Sequence, residues 1–371
     1  MKQRMLLNNI QCLRAVAAYM VVLYHARLLT PIGERWSFDF GNAGVDIFFF
    51  ISGFIINHVA VRDDVGAPGA FLLKRAIRIV PLYWLLTLLV GAAGQVAPSL
   101  AGAGGRPDLG RIVQSLLFIP YFDDTGEMHP VLFMGWTLNY EVFFYALFAA
   151  ALLIRREVPR LLALSLALAA LVVLGAVVDP RSAAGTTYTS PLLLEFVAGM
   201  WMNRAWRSWP QRAMRGGGRA MLVLAIVLAF TVLAWGDHAW PAAPRELKWG
   251  IPAFAIVAAA LALEHDGVSL RWRWLLLLGE ASYAIYLIHP FVIKAASIAY
   301  ARLGVTALPL HALALLGVLV LVGAVGTGFH LLVERPLVRW LRHRFLPHAP
   351  ASMASGDLPM EPTGESAASP K

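Results

Sequence analysis

The sequence predicts an all-α integral membrane protein, a polytopic bundle of about ten transmembrane helices with both termini in the cytoplasm. Three observations carry that prediction. The 371 residues are 59% hydrophobic and only 14% charged, where a soluble globular domain carries about 25% charged residues. Apolar segments recur at close to the roughly 20 residues that a helix needs to cross a bilayer. The basic residues fall unequally on the two sides that such a path defines.

Taken in order, the apolar segments predict spans at 10–29, 43–61, 76–97, 131–154, 160–178, 189–204, 219–236, 248–264, 276–299 and 310–333. The first is too long for a signal-peptide core, contains Arg14 and lacks a small-residue cleavage site, so it reads as a retained anchor. With the N-terminus inside, twenty Lys and Arg residues flank the inner ends. They include Lys74, Arg75, Arg78, Arg204, Arg273, Arg335 and Arg342. Only eight, among them Arg27, Arg35, Arg111 and Arg245, flank the outer ends. This is a positive-inside bias, and an even number of spans returns the C-terminus to the inside.

The longest outer connection, 98–130, holds Gly102, Gly104, Gly105 and Pro107 and then an apolar run, Ile112 to Ile119. That run is too short to span; it lies at the interface or re-enters over a cavity. Residues 1–348 form the membrane domain. Residues 349–371, rich in Pro, Ser, Gly and Ala, form a disordered cytoplasmic tail. Cys12 is the single cysteine, which excludes an intrachain disulfide and a thiolate metal cluster. The net charge of +9 is spread through short loops and reads as a topology signal; no nucleic-acid motif accompanies it. No metal-ligand pattern, glycine-rich phosphate loop or Gly-x-Ser-x-Gly elbow occurs.

Arg14 and His25 are the most informative pair. Eleven residues at about 100° each bring them within roughly 20° of three full turns, on one helix face and about 16 Å apart along the axis. A charge retained inside a membrane helix costs about 2.5–3.5 kcal/mol on insertion scales, so it points to function. The bland reading is a snorkelling arginine and a locally hydrogen-bonded histidine. Arg75 and Arg78 share a face at the inner end of the third span, and paired guanidiniums match phosphate oxygens. The competing reading is an ordinary basic collar. Pro81 falls in the first turns of that span, where proline is tolerated. Asp46 lies at the depth of His25 and is a candidate partner for it. Ser52-Gly53 allows a close approach by a ligand or by another backbone. Glu141 falls near mid-membrane and needs a proton or a cationic partner. His289 is at similar depth, and the following Pro290 frees a backbone carbonyl.

Together these motifs resemble the membrane-bound acyltransferase family 3. The family pattern is an arginine and a histidine separated by ten residues in the first helix, Arg14 and His25 here. An Arg-x-x-Arg follows at the third, Arg75 to Arg78. The segments Asn9 to Ala15, Gly44 to Phe49 and Gly135 to Glu141 look most like the exopolysaccharide-production branch. Ser282-Tyr283 to His289 and Glu334-Arg335-Pro336 also fit. The resemblance covers about 8–345. It implies transfer of an acyl group, commonly acetyl, from cytoplasmic acyl-coenzyme A as co-substrate, with no tightly bound cofactor. The acceptor it implies is a hydroxyl of a surface polysaccharide or its lipid-linked precursor, at a bacterial inner membrane.

On that reading Arg14, Arg75 and Arg78 bind the donor's phosphates. His25 is the general base, or alternatively a nucleophile forming an acyl-histidine. Asp46 or Glu141 orients its imidazole, and Ser52 and His289 contact the oxyanion or acceptor. The competing functional classes are a non-enzymatic carrier for a sugar, lipid intermediate or small anion, and an inactive scaffold. The sequence assigns no oligomeric state, acyl group or acceptor sugar.

Overall fold

The structure is a computed structural model that describes residues 7–27, 29, 38–62, 67–96, 106–210, 216–303 and 308–346. Gly102, Gly104, Gly105, Arg35 and the tail 349–371 lie outside the described residues.

All regular structure among the described residues is helical. The chain runs α1 Asn8–Ala26, a 3₁₀ turn Asp39–Asn42, α2 Ala43–Arg62, α3 Pro68–Val96 and α4 Leu109–Leu116. It continues through α5 Trp136–Ala151, α6 Glu157–Val178, α7 Ala183–Tyr188, α8 Leu193–Ser208 and α9 Gly216–Ala239. A π turn, Glu246–Gly250, leads into α10 Ile251–His265, followed by α11 Arg273–Glu280, α12 Ser282–Leu303 and α13 Leu308–Phe329. A second π turn, His330–Glu334, joins α13 to α14 Arg335–Phe345. Seven helices among the described residues are long and apolar enough to cross a membrane. The chain is a multi-pass membrane protein.

Helix α1 is central, and small residues let its neighbours reach it. A Cβ on Gly44 of α2 would stand 2.3 Å from the Ala17 carbonyl oxygen, and one on Gly279 of α11 would stand 2.0 Å from that of Gln11. Helices α2 and α8 cross as closely, with Gly53 against the Phe196 carbonyl and Gly199 against that of Phe50. Lipid tails are as apolar as leucine, so helices in a membrane associate through close packing rather than hydrophobic exclusion. Asn9 pins the start of α1. Its amide donates to the carbonyls of Ala260 (3.0 Å) and Val268 (2.9 Å), and its side-chain oxygen accepts from the Leu270 amide. The Glu264 carboxylate accepts from the Asn9 backbone N–H, the favourable place for an anion at a helix N-terminus. Helix α9, with Leu224, Val227 and Leu228 exposed, presents an apolar surface outward.

Two sequence expectations shift. The third span starts at Pro68, so Pro81 stands in the interior of α3 and not in its first turns. The basic run Lys74 to Arg78 is itself helical and continues the span toward the N-terminal side. The last span does not stop near 333: the helix runs on through the π turn to Phe345, because the Glu334-Arg335-Pro336 step lies within a helical path. The outer apolar run is a short helix, α4, whose Asp108 side chain caps it by accepting from the Arg111 N–H at 2.7 Å. It ends with Phe118 in the left-handed region, φ 56°. There the Ile119 N–H bonds the Gln114 carbonyl and the Phe118 N–H that of Ser115, a Schellman closure. Phe118 accepts this conformation while stacking on Tyr83 with ring centroids 4.8 Å apart.

Candidate active site

One end of the bundle forms an open cavity of about 1270 Å³. Ordinary small-molecule sites span about 300–1,000 Å³. The three arginines that the sequence offers as an anion site, Arg14, Arg75 and Arg78, all line it. Arg62 and Lys74 from α2 and α3, Arg273 from α11, and Arg335 and Arg342 from α14 join them. Among the described lining residues, eight cations face two carboxylates, Glu141 and Glu280. The last three arginines were missed in the sequence because they lie some two hundred and sixty residues or more from Arg14; only Arg335, in the Glu-Arg-Pro motif, carried a local signal.

Arg14 is held in a defined pose. One terminal nitrogen donates to the Ser282 hydroxyl at 2.9 Å, and the other donates to the Gln11 side-chain oxygen at 3.2 Å, one turn back on α1. Arg75 lies over the rings of Phe71 and Tyr145, 5.6 and 6.0 Å from their centroids, in cation–π range. Glu141 is the carboxylate of this cavity. Ser52 donates to its Oε1 at 3.0 Å, and Tyr145, one turn along α5, donates to the same oxygen. The structure thus brings together Arg14, Arg75, Arg78, Ser52 and Glu141. Glu141 finds its partners among hydroxyls beside the arginines, and Ser52 serves as a donor to it rather than as a bare packing contact.

His25 and His289 form a second group. His289 Nε2 lies 3.1 Å from His25 Nδ1, with the rings 5.0 Å apart. His25 is 9% exposed and His289 is wholly buried. His25 Nδ1 also lies 2.9 Å from the Val21 carbonyl oxygen, and His289 Nδ1 lies 2.7 Å from that of Tyr286. Neither histidine lines the cavity. Thr137 and Tyr286 do, with their hydroxyls bonded at 2.8 Å, and Tyr286 is the lining residue nearest His289 in the chain.

On the other side Phe133 meets His25 edge-on at 5.3 Å, and His129 meets Phe133 edge-on at 6.0 Å. The loop carrying His129 is pinned by Asp123, which accepts from the Thr125 amide at 2.8 Å and contacts His129 Nδ1 at 3.2 Å. Burial pushes the Asp123 carboxyl up, but the hydrogen bonds from Thr125, Glu127 and His129 outweigh it and hold the group below the ordinary carboxylate range. Beside it the Arg111 guanidinium, forked onto Asp124, holds that carboxyl low as well.

Two predicted placements differ. Asp46 does not contact His25 among the described hydrogen bonds. Its carboxylate accepts from Arg245 at 2.6 Å, and the buried Glu195 adds a second carboxylate beside it. Asp46 faces α8 and the π turn before α10. His289 has both ring nitrogens engaged, so in this arrangement it presents no N–H to an oxyanion.

The acyltransferase-domain family profile matches residues 7–329. The chain is 37% identical over 328 residues to the exopolysaccharide production protein ExoZ of Rhizobium meliloti, covering 87% of this chain and 96% of that protein. It is 29% identical over 336 residues to the acyltransferase MdmB of Streptomyces mycarofaciens, covering 82% of each. It is 27% identical over 202 residues to an O-acetyl transferase of Shigella phage Sf6, covering 52% of this chain and 59% of that protein. No solved structure matches significantly. A family match over most of the chain and a relative of this identity show that the chain belongs to the membrane-bound acyltransferase family 3 and is a multi-pass membrane acyltransferase.

Proposed function

We propose that this enzyme moves an acetyl group from acetyl-coenzyme A to a hydroxyl of a surface polysaccharide or its lipid-linked precursor, at a bacterial cytoplasmic membrane. The observation that carries the reading is the large cavity in which eight cations from five helical elements meet two carboxylates. Such a cavity suits a long polyanion carrying several phosphates, since forked guanidiniums match phosphate oxygens. In the proposed topology ten helices span, both termini are cytoplasmic and the cavity opens to the cytoplasm, consistent with the positive-inside bias. Names among the relatives, an exopolysaccharide production protein and an O-acetyl transferase, support the acceptor and the acyl group.

In the proposed mechanism Arg14, Arg75 and Arg78 bind the donor's phosphates, and Glu141, held by Ser52 and Tyr145, offsets part of the positive charge of the cavity. The acceptor hydroxyl gives its proton to Nε2 of His25 as its oxygen attacks the thioester carbonyl. The tetrahedral intermediate then collapses, the carbon–sulfur bond breaks, and the departing thiolate takes the proton back from His25. General-base assistance of this kind contributes about 10²–10⁴-fold.

The test is complementation of a deletion strain at matched membrane levels, reading ester content of the surface polysaccharide. Wild type restores the ester; His25→Ala and Arg14→Ala do not. Full restoration by His25→Ala removes the assignment of the base. A wild-type protein that alters export of the polysaccharide but never its ester content identifies a carrier instead.

A further inference from the structure

The two-histidine contact has a direction that its neighbours determine. A carbonyl oxygen only accepts, so a ring nitrogen held against one must carry the hydrogen. His289 Nδ1, 2.7 Å from the Tyr286 carbonyl, is therefore N–H, and its Nε2 holds a lone pair when the ring is neutral. That lone pair faces His25 Nδ1 at 3.1 Å. His25 Nδ1, 2.9 Å from the Val21 carbonyl, is likewise N–H, which leaves His25 Nε2 as the bare nitrogen.

The Tyr286 carbonyl can act this way because of the sequence. In a regular helix it would accept from the N–H four residues on, but that residue is Pro290, which has none. The proline orphans one carbonyl, and the His289 ring satisfies it.

We propose that His289 is a positioning residue for His25, in the place a carboxylate takes in a Ser-His-Asp triad. It accepts from His25 Nδ1–H, which presents Nε2 as the base. Its lone pair also stabilises the imidazolium that forms when His25 takes the acceptor's proton. The His25 Nδ1–H is shared between His289 Nε2 and the Val21 carbonyl and stays on His25, because a bare Nδ1 would set its lone pair against the carbonyl oxygen 2.9 Å away. A neutral imidazole suits a wholly buried membrane position better than a carboxylate, which would carry its charge throughout the cycle. The Arg245-paired Asp46 is not needed for this role.

This inference rests on His25 being the base, and the experiment separates the two. Purified protein in lipid nanodiscs is assayed for acetyl transfer with acetyl-CoA, comparing His25→Ala, His289→Gln, His289→Asn and Pro290→Ala. Gln places its side-chain oxygen near the Nε2 position and keeps an acceptor for His25; Asn reaches only the Nδ1 position. Expected results are kcat within about tenfold of wild type for His289→Gln and a loss of about 10²-fold or more for His289→Asn. KM for acetyl-CoA stays within about twofold in both, because the donor's phosphates bind elsewhere. Pro290→Ala, which returns an N–H to the Tyr286 carbonyl, lowers kcat several-fold with the same KM. Equal kcat in the Gln and Asn variants, whether both high or both low, overturns the positioning role. Full activity of His25→Ala instead overturns the base assignment on which it depends.

Discussion

At the scale of single residues, the structure turns on where each buried charge finds its partner. Glu141 is met by Ser52 and Tyr145 beside the arginine cavity, and Asp46 by Arg245 near α8. Removing one partner of a buried ion pair strands the other, which costs about 3–5 kcal/mol, whereas removing both is often nearly neutral. Arg245→Leu is therefore expected to destabilise the bundle by about that amount. The double variant Asp46→Leu/Arg245→Leu is expected to recover a large part of the loss. Unfolding midpoints in a denaturing-detergent titration measure both, and equal losses in the single and double variants would rule out the pairing as the cause. Sequence alone put Asp46 at the depth of His25 and His289 nearer mid-membrane with Glu141, because depth is read from position along a span. It did not say which way each side chain turns.

At the scale of elements, the glycines of α2, α8 and α11 decide how close the helices come. Gly53 meets the Phe196 backbone at a distance that leaves no room for a methyl group, since its Cβ would stand 2.1 Å from a carbonyl oxygen. A backbone oxygen inside a helix cannot swing aside as a long side chain can. Gly53→Ala is expected to push α2 and α8 apart and to cost about 1–3 kcal/mol, the range for overpacked cores. It also displaces Ser52 from Glu141, so donor KM rises along with the stability loss. A thermal-unfolding series in nanodiscs with a parallel KM measurement checks this; a variant unchanged in both would show that the helices are not held at this contact. The Ser52-Gly53 signal in the sequence was ambiguous between packing and ligand approach. The structure uses Gly53 for packing and Ser52 for the site.

At the scale of the whole molecule, the cavity gathers charge from segments that are far apart in the chain. Arg14 stands near one terminus and Arg342 near the other, yet both line one space with Arg75, Arg78 and Arg273. If a phosphate-bearing donor binds there, salt should weaken its binding. Raising salt from about 50 to about 500 mM, which shortens the screening length from above 10 Å to about 4 Å, is expected to raise KM for acetyl-CoA roughly three- to tenfold. KM for acetyl-pantetheine, which lacks the phosphates, is expected to move little. Equal salt responses for the two donors would show that the cations do not read the phosphates.

The sequence by itself determined the membrane class, most of the spans and the family pattern, since each depends on local composition, on spacing along one helix or on contiguous motifs. Arg14 and His25 were legible because eleven residues set their shared face, and Pro290 was legible because the loss of an N–H is a local fact. Only the tertiary structure decided that His25 meets His289, that Asp46 meets Arg245, and that α11 and α14 complete the basic cavity. Those pairings depend on how the helices rotate and approach about α1. In a membrane, that arrangement is set by small-residue contacts between elements distant in the chain rather than by any pattern within one of them.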